Sequence, residues 1–202
     1  YKGFGGIIVS ASHNSGGADG DFGIKFNGDN GGPAPEKITD AIYAYSTHIT
    51  AYDMVEAADD VDVGRIGMHT VGDMTVEVID SVADYQELMQ QLFDFDALRA
   101  VFKSGFTMKF DAMHAVTGPY AHAIFEDALG AAKGTVMNGV PSPDFNGHHP
   151  DPNLVHAKEL YDIMMGENAP DFGAASDGDG DRNLIIEKNM SPALFHAAHR
   201  FG

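Results

Sequence analysis

Two short stretches of this chain carry side chains that could do chemistry together. Ser10-Ala11-Ser12-His13-Asn14, followed by Ser15-Gly16-Gly17, places hydroxyls in a glycine-rich turn, where a serine can accept a phosphoryl group. Far downstream, Asp177-Gly178-Asp179-Gly180-Asp181-Arg182 sets three carboxylates on alternate residues. Carboxylate oxygens are hard donors suited to Mg²⁺, and a phosphate oxygen can complete its compact octahedron. The glycines between them allow the backbone to curl so that the three oxygens converge. The pairing points to metal-assisted phosphoryl transfer through a phosphoserine.

Competing readings of the same residues fare worse. An EF-hand loop also begins with alternating aspartates, but its sixth position requires Gly and its twelfth Glu, where this chain has Arg182 and Lys188. The bland alternative is an acidic turn between strands. For the serine stretch the alternative is a plain turn shaped by Asn14 and the glycines. A hydrolase triad using Ser12 and His13 is disfavoured, because sequence neighbours on an extended segment point apart and G-x-S-x-G is missing. Ser10 reads as a structural hydroxyl. The His148-His149 pair beside Pro150 reads as a structural turn in preference to a second metal site.

The elements that must hold these residues alternate between strand and helix. Gly6-Ile7-Ile8-Val9 predicts a strand that ends at the serine turn, and Gly23 to Asn27 a second one. Pro33-Ala34-Pro35-Glu36 opens a helix with Ile38, Ala41, Ile42 and Tyr45 at helical spacing. Residues 51–74 are acidic and weakly patterned, and read as a domain tail and linker. Strands are predicted at Thr75–Ile79, Thr107–Phe110, Thr135–Met137, Phe172–Ala175 and Leu184–Ile186. Between them lie helices at Asp84–Phe102, at Thr117 onward and at Asn153–Met165. The order implies an α/β fold with a parallel or mixed sheet, in which ligands gather at the carboxyl ends of strands. Both motifs sit at such an end.

Composition bounds the partners. A formal charge of −18 argues against nucleic acid or an anionic membrane, since binding a phosphate backbone needs clustered Lys and Arg. No apolar run is long enough to span a bilayer. The absence of cysteine excludes disulfides and thiolate metal sites and fits a reducing, cytoplasmic setting. The start at Tyr1, running directly into a strand, reads as a segment of something longer.

The motifs together resemble the α-D-phosphohexomutases, in particular the phosphoglucomutase branch. The resemblance rests on Gly6-Ile7-Ile8 leading to Ala11-Ser12-His13-Asn14, on Gly20-Asp21-Phe22-Gly23-Ile24-Lys25-Phe26-Asn27 and on Asn30-Gly31-Gly32-Pro33-Ala34-Pro35-Glu36. It continues through Thr117-Gly118-Pro119-Tyr120, Gly147-His148-His149-Pro150-Asp151-Pro152-Asn153 and the acidic cluster. It implies two mixed-sheet α/β domains, the first incomplete, over residues 1–74 and 75–190, with 191–202 an unassigned tail. It implies that Ser12 carries the phosphoryl group, and that Asp177, Asp179 and Asp181 hold Mg²⁺ together with the serine phosphate. Lys25 is implied as an acid/base near the reacting phosphate, His13 as a hydrogen-bonding neighbour of the phosphoserine, and Arg182 as a charge-balancing group. The implied reaction interconverts glucose 1-phosphate and glucose 6-phosphate through glucose 1,6-bisphosphate. Ser15 departs from the family's usual proline. The family's sugar-recognition and C-terminal phosphate loops have no counterpart here, so little turnover is expected of this chain alone. A non-catalytic scaffold and a Mg²⁺-dependent phosphatase are the alternative readings.

Overall fold

A computed structural model describes residues 3–54, 56 and 60–188 of the chain; the tail expected at 191–202 lies outside the described residues. Two compact units emerge among the described residues, one within residues 1–8 and 25–84, the other within 9–24 and 85–202. No helix among the described residues is long and apolar enough to cross a membrane.

The first unit holds most of one small two-stranded sheet, all of another, and a helix. Strands β1 (Gly6–Val9) and β2 (Ile24–Asn27) pair with each other. Helix α1 (Glu36–Ser46) follows Pro35, whose fixed φ suits a helix entry. No residue of α1 is buried, and its Ile38, Ile42 and Tyr45 are exposed. The stretch expected as linker contains a strand: β3 (Gly67–Val71) pairs antiparallel with β4 (Met74–Val78) across the turn at Gly72-Asp73. Gly72 takes φ 59°, the left-handed conformation that short hairpin turns require.

Helices follow in a broken run. The long helix expected over 84–102 is two, α2 (Ser81–Leu92) and α3 (Phe95–Lys103). Asp80 accepts hydrogen bonds from the backbone of Val82 and Ala83 at 3.0 Å each. Asp94 accepts from Ala97 N–H at 2.9 Å and so starts a new helix where the apolar spacing alone runs on.

The second unit is built on a four-stranded sheet in the order β6-β5-β7-β8. Its strands are β5 (Met108–Asp111), β6 (Val136–Met137), β7 (Phe172–Ser176) and β8 (Asn183–Glu187). β5 is parallel to β6 and β7, and β8 returns antiparallel to β7, so the sheet is mixed. Helix α5 (Lys158–Met164) covers one face, where a methyl group on Gly173 would lie 2.7 Å from Met164 Sδ. The helix expected from Asn153 thus begins later; Asn153 Oδ1 instead accepts from the Val155 and His156 amides in a preceding turn. Side chains alternate along a strand, so Phe110, next to the Gly173 partner Lys109, faces the other way. There it meets Phe125 at 5.4 Å, in the π-helical turn His122–Ala128 that continues α4 (Thr117–Ala121). The core beneath α5 joins Met113, Ala157, Leu160, Met164, Ala175 and Ile186.

Candidate functional site

The carboxylate loop is the connection between β7 and β8. Ser176 and Asn183 still pair across the strands, and the six residues between them close on themselves. Asp177 N–H donates to the Arg182 carbonyl at 3.2 Å, Arg182 N–H donates to Asp177 Oδ1 at 3.0 Å, and Gly180 N–H donates to the Asp177 carbonyl at 3.2 Å. Gly180 takes φ 84°, which a side chain would oppose. The result brings one oxygen from each of Asp177, Asp179 and Asp181 within 4.8 Å of the others.

That cluster fits a hard divalent cation. Asp177 is fully buried, and its Oδ2 has no hydrogen-bond partner among the described residues. A buried carboxylate oxygen without a donor is costly unless an ion takes the donor's place. Burial first, then the neighbouring charges of Asp179 and Asp181, pushes the Asp177 carboxyl up to about 6 against the pull of the Arg182 amide.

The serine loop folds against this cluster. Ser12 takes φ 56°, an uncommon angle for a residue with a side chain, at the tip of a turn closed by Asn14 N–H donating to the Ala11 carbonyl. Ser10, which reads from sequence as merely structural, links the two loops. Its Oγ donates to Asp179 Oδ2 at 2.9 Å and accepts from Ser12 N–H at 2.8 Å. A methyl group on Gly178 would lie 2.1 Å from the Ser12 carbonyl, so the loops meet backbone to backbone. His13 Nδ1 lies 3.4 Å from Ser12 Oγ.

The other expected residues divide. Arg182 extends toward Asp151, its guanidinium 3.9 Å from the carboxylate, a partner that spacing along the chain gave no means of finding. Lys25 lies on β2, in the first unit, whereas Ser12, His13, Arg182 and the three aspartates all belong to the second. His148 stacks on His114 and His149 on His156, with centroids 6.0 and 4.5 Å apart.

Residues 83–190 match phosphoglucomutase/phosphomannomutase alpha/beta/alpha domain II, and residues 1–53 match domain I of the same family. The chain belongs to this family. Among phosphoglucomutases, the enzyme of Rhizobium radiobacter is 62% identical over 94% of this chain, and the chloroplastic one of Arabidopsis thaliana is 54% identical over 92%. The crystal structure of parafusin, a phosphoglucomutase from Paramecium, superposes with a TM-score of 0.85 at 45% identity over 92% of this chain. The chain spans 35%, 30% and 35% of these three relatives, about a third of each.

Proposed function

We propose that this chain carries the phosphoserine and metal centre of a phosphoglucomutase that interconverts glucose 1-phosphate and glucose 6-phosphate. One observation carries the reading: Ser10 and Gly178 seat the Ser12 loop directly on the Asp177–Asp181 loop. A nucleophilic serine beside a carboxylate cation site is the arrangement that phosphoryl transfer needs, since the chemistry is mostly positioning and charge stabilisation. The high identity to phosphoglucomutases across nearly the whole chain favours glucose as the sugar.

In this reading Ser12 Oγ attacks a phosphorus of glucose 1,6-bisphosphate. The Ser12 O–P bond forms as the P–O bond to the sugar breaks, and the serine proton ends on the departing sugar oxygen. His13, 3.4 Å from Oγ, orients the hydroxyl and the phosphate it becomes. The reverse transfer delivers the phosphoryl group to the other hydroxyl of a glucose monophosphate. Lys25 is assigned the proton exchange with that hydroxyl, as a general acid/base. Arg182 balances charge on the transferring group. Asp177, Asp179 and Asp181 would hold Mg²⁺, with the Ser12 phosphate as a further ligand. Bound there, Mg²⁺ supplies Lewis-acid withdrawal of charge from the phosphate. A cytoplasmic setting is consistent with the cysteine-free sequence.

The test is the intact mass of the chain after incubation with glucose 1,6-bisphosphate and Mg²⁺, beside Ser12→Ala. One phosphoryl increment, lost in the variant, is the expected result. Steady release of inorganic phosphate with no phosphorylated chain would replace the mutase reading by a phosphatase.

A further inference from the structure

A third loop touches both chemical loops through one aromatic ring. A methyl group on Gly16 would lie 2.9 Å from the edge of the Phe145 ring and 2.8 Å from the Pro143 carbonyl. A methyl group on Gly178 would lie 3.2 Å from the tip of the same ring. Gly16 follows the Ser12 turn and Gly178 lies inside the carboxylate loop, so Phe145 packs against both, at positions where an added methyl group would clash with the ring (Gly16) or crowd it (Gly178).

The loop that presents this ring is held in an uncommon shape. Phe145 and Asn146 take φ 52° and 56° in succession, the left-handed region that bulky side chains rarely occupy. Such angles persist only where the surroundings over-determine them, and they concentrate at functional sites. Here the restraints are plain. Asp144 Oδ1 accepts from Ser142 Oγ at 2.6 Å and from Asn146 N–H at 3.0 Å, and Phe145 N–H donates to the Ser142 carbonyl at 3.0 Å. Ser142 N–H in turn donates to the His114 carbonyl at 2.9 Å, just beyond β5. The turn is thereby anchored near the sheet's carboxyl edge while its aromatic side chain reaches the serine and carboxylate loops.

The geometry points to Phe145 as a positioning residue that wedges the Ser12 loop against the Asp177–Asp181 loop and fixes the distance between nucleophile and cation site. This rests on the phosphoserine reading above for its catalytic meaning, but not for its structural content. Ser10 supplies one polar tie between the loops; Phe145 supplies the apolar one that prevents them from sliding about it.

Hydrogen–deuterium exchange on the chain, with Mn²⁺ titration as a metal probe, tests this without requiring turnover. In Phe145→Ala, exchange over residues 10–17 and 177–182 should quicken together by about tenfold, while β5 and α5 stay as protected as in the parent. Mn²⁺ should bind about tenfold more weakly, since ligand geometry tolerates little displacement. Phe145→Leu, which keeps apolar bulk without strain beyond that already present, should recover part of both effects. It also serves if the alanine variant fails to fold. Unchanged exchange in both loops, or loosening spread evenly over the sheet and α5, would overturn the assignment. Phosphoryl acceptance at Ser12 is read in parallel: a parent chain that takes no phosphate refutes the functional reading alone, whatever the exchange data say of Phe145.

Discussion

Gly178→Ala is the sharpest single test of the claim that the two chemical loops meet backbone to backbone. The added methyl group would lie 2.1 Å from the Ser12 carbonyl, where ordinary contact begins at 3.4 Å, so the loops must part by about 1.3 Å. The obstacle is main chain on both sides and cannot rotate away as a flexible side chain would. Overpacking of this kind costs about 1–3 kcal/mol of stability, which a chain with an intact core survives. The functional loss should be larger in proportion, because a displacement of about 1 Å at a reacting group costs roughly 10²-fold in rate. The assay is the rate of phosphoryl uptake at Ser12 from glucose 1,6-bisphosphate, followed by intact mass, with the melting temperature measured in parallel. Gly28→Ala is the control, since its methyl group meets only Asn30 Oδ1 at 3.5 Å. If Gly178→Ala took up phosphate at the parent rate while remaining folded, the loops would not be seated as described.

Ser10→Ala removes a donor from Asp179 and an acceptor from Ser12 N–H, at about 1 kcal/mol each, and should slow phosphoryl uptake by about tenfold. Ser10→Thr keeps both bonds and should restore it; equal loss in the two variants would show that the hydroxyl is not the link. Chelation of divalent ions should abolish uptake at Ser12 while Mg²⁺ restores it, and Asp177→Asn should not respond to Mg²⁺ at all, as read by the same mass measurement. Glu126 gives the pH prediction: burial would raise its pKa, but hydrogen bonds from His122, Val136 and Gly134 hold it below 4.5. A lowered folded pKa contributes stability at neutral pH that is lost on acidification, so the gap in melting temperature between parent and Glu126→Gln should narrow as pH falls below 4.5. A gap that widened in acid would contradict the assigned bonds.

The strands that carry the two loops were legible because each is a short, largely apolar run that ends at a polar turn residue: Gly6–Val9 before Ser10, Phe172–Ser176 before Asp177. The mixed sheet and its helical cover followed from the alternation of elements. The break between α2 and α3 was not legible, because Leu88, Leu92, Phe95 and Leu98 keep helical spacing straight through it. Only the competition of Asp94 for the Ala97 amide decides the matter. β3 was missed for a different reason, its pairing with β4 being a property of two strands and not of either one. The site shows the same division. Residue types and spacing marked Ser12 and the aspartates, each motif being local. Ser10 and Phe145 act across 169 and 33 or more positions of chain, and nothing in their own neighbourhoods marks what they touch.

Electrostatics explains why such positioning matters here more than in an ordinary turn. Three carboxylates with oxygens inside 4.8 Å repel one another by about 3 kcal/mol per pair at the effective dielectric of a protein surface. Left to itself the loop would relax outward, and the protonation of Asp177 at about 6 is one way of lowering that repulsion. The backbone bonds from Asp177 to Arg182, the Ser10 hydroxyl and the turn at Gly180 oppose the relaxation. They hold the carboxylates in a geometry whose repulsion a divalent cation would relieve, so that folding energy would be converted into metal affinity. A chain with net charge −18 has every reason to repel an anionic sugar. In the proposed reaction, concentrating the negative charge at one rigid loop, where a cation would reverse its sign locally, is what would let the same acidic chain receive a phosphate at Ser12.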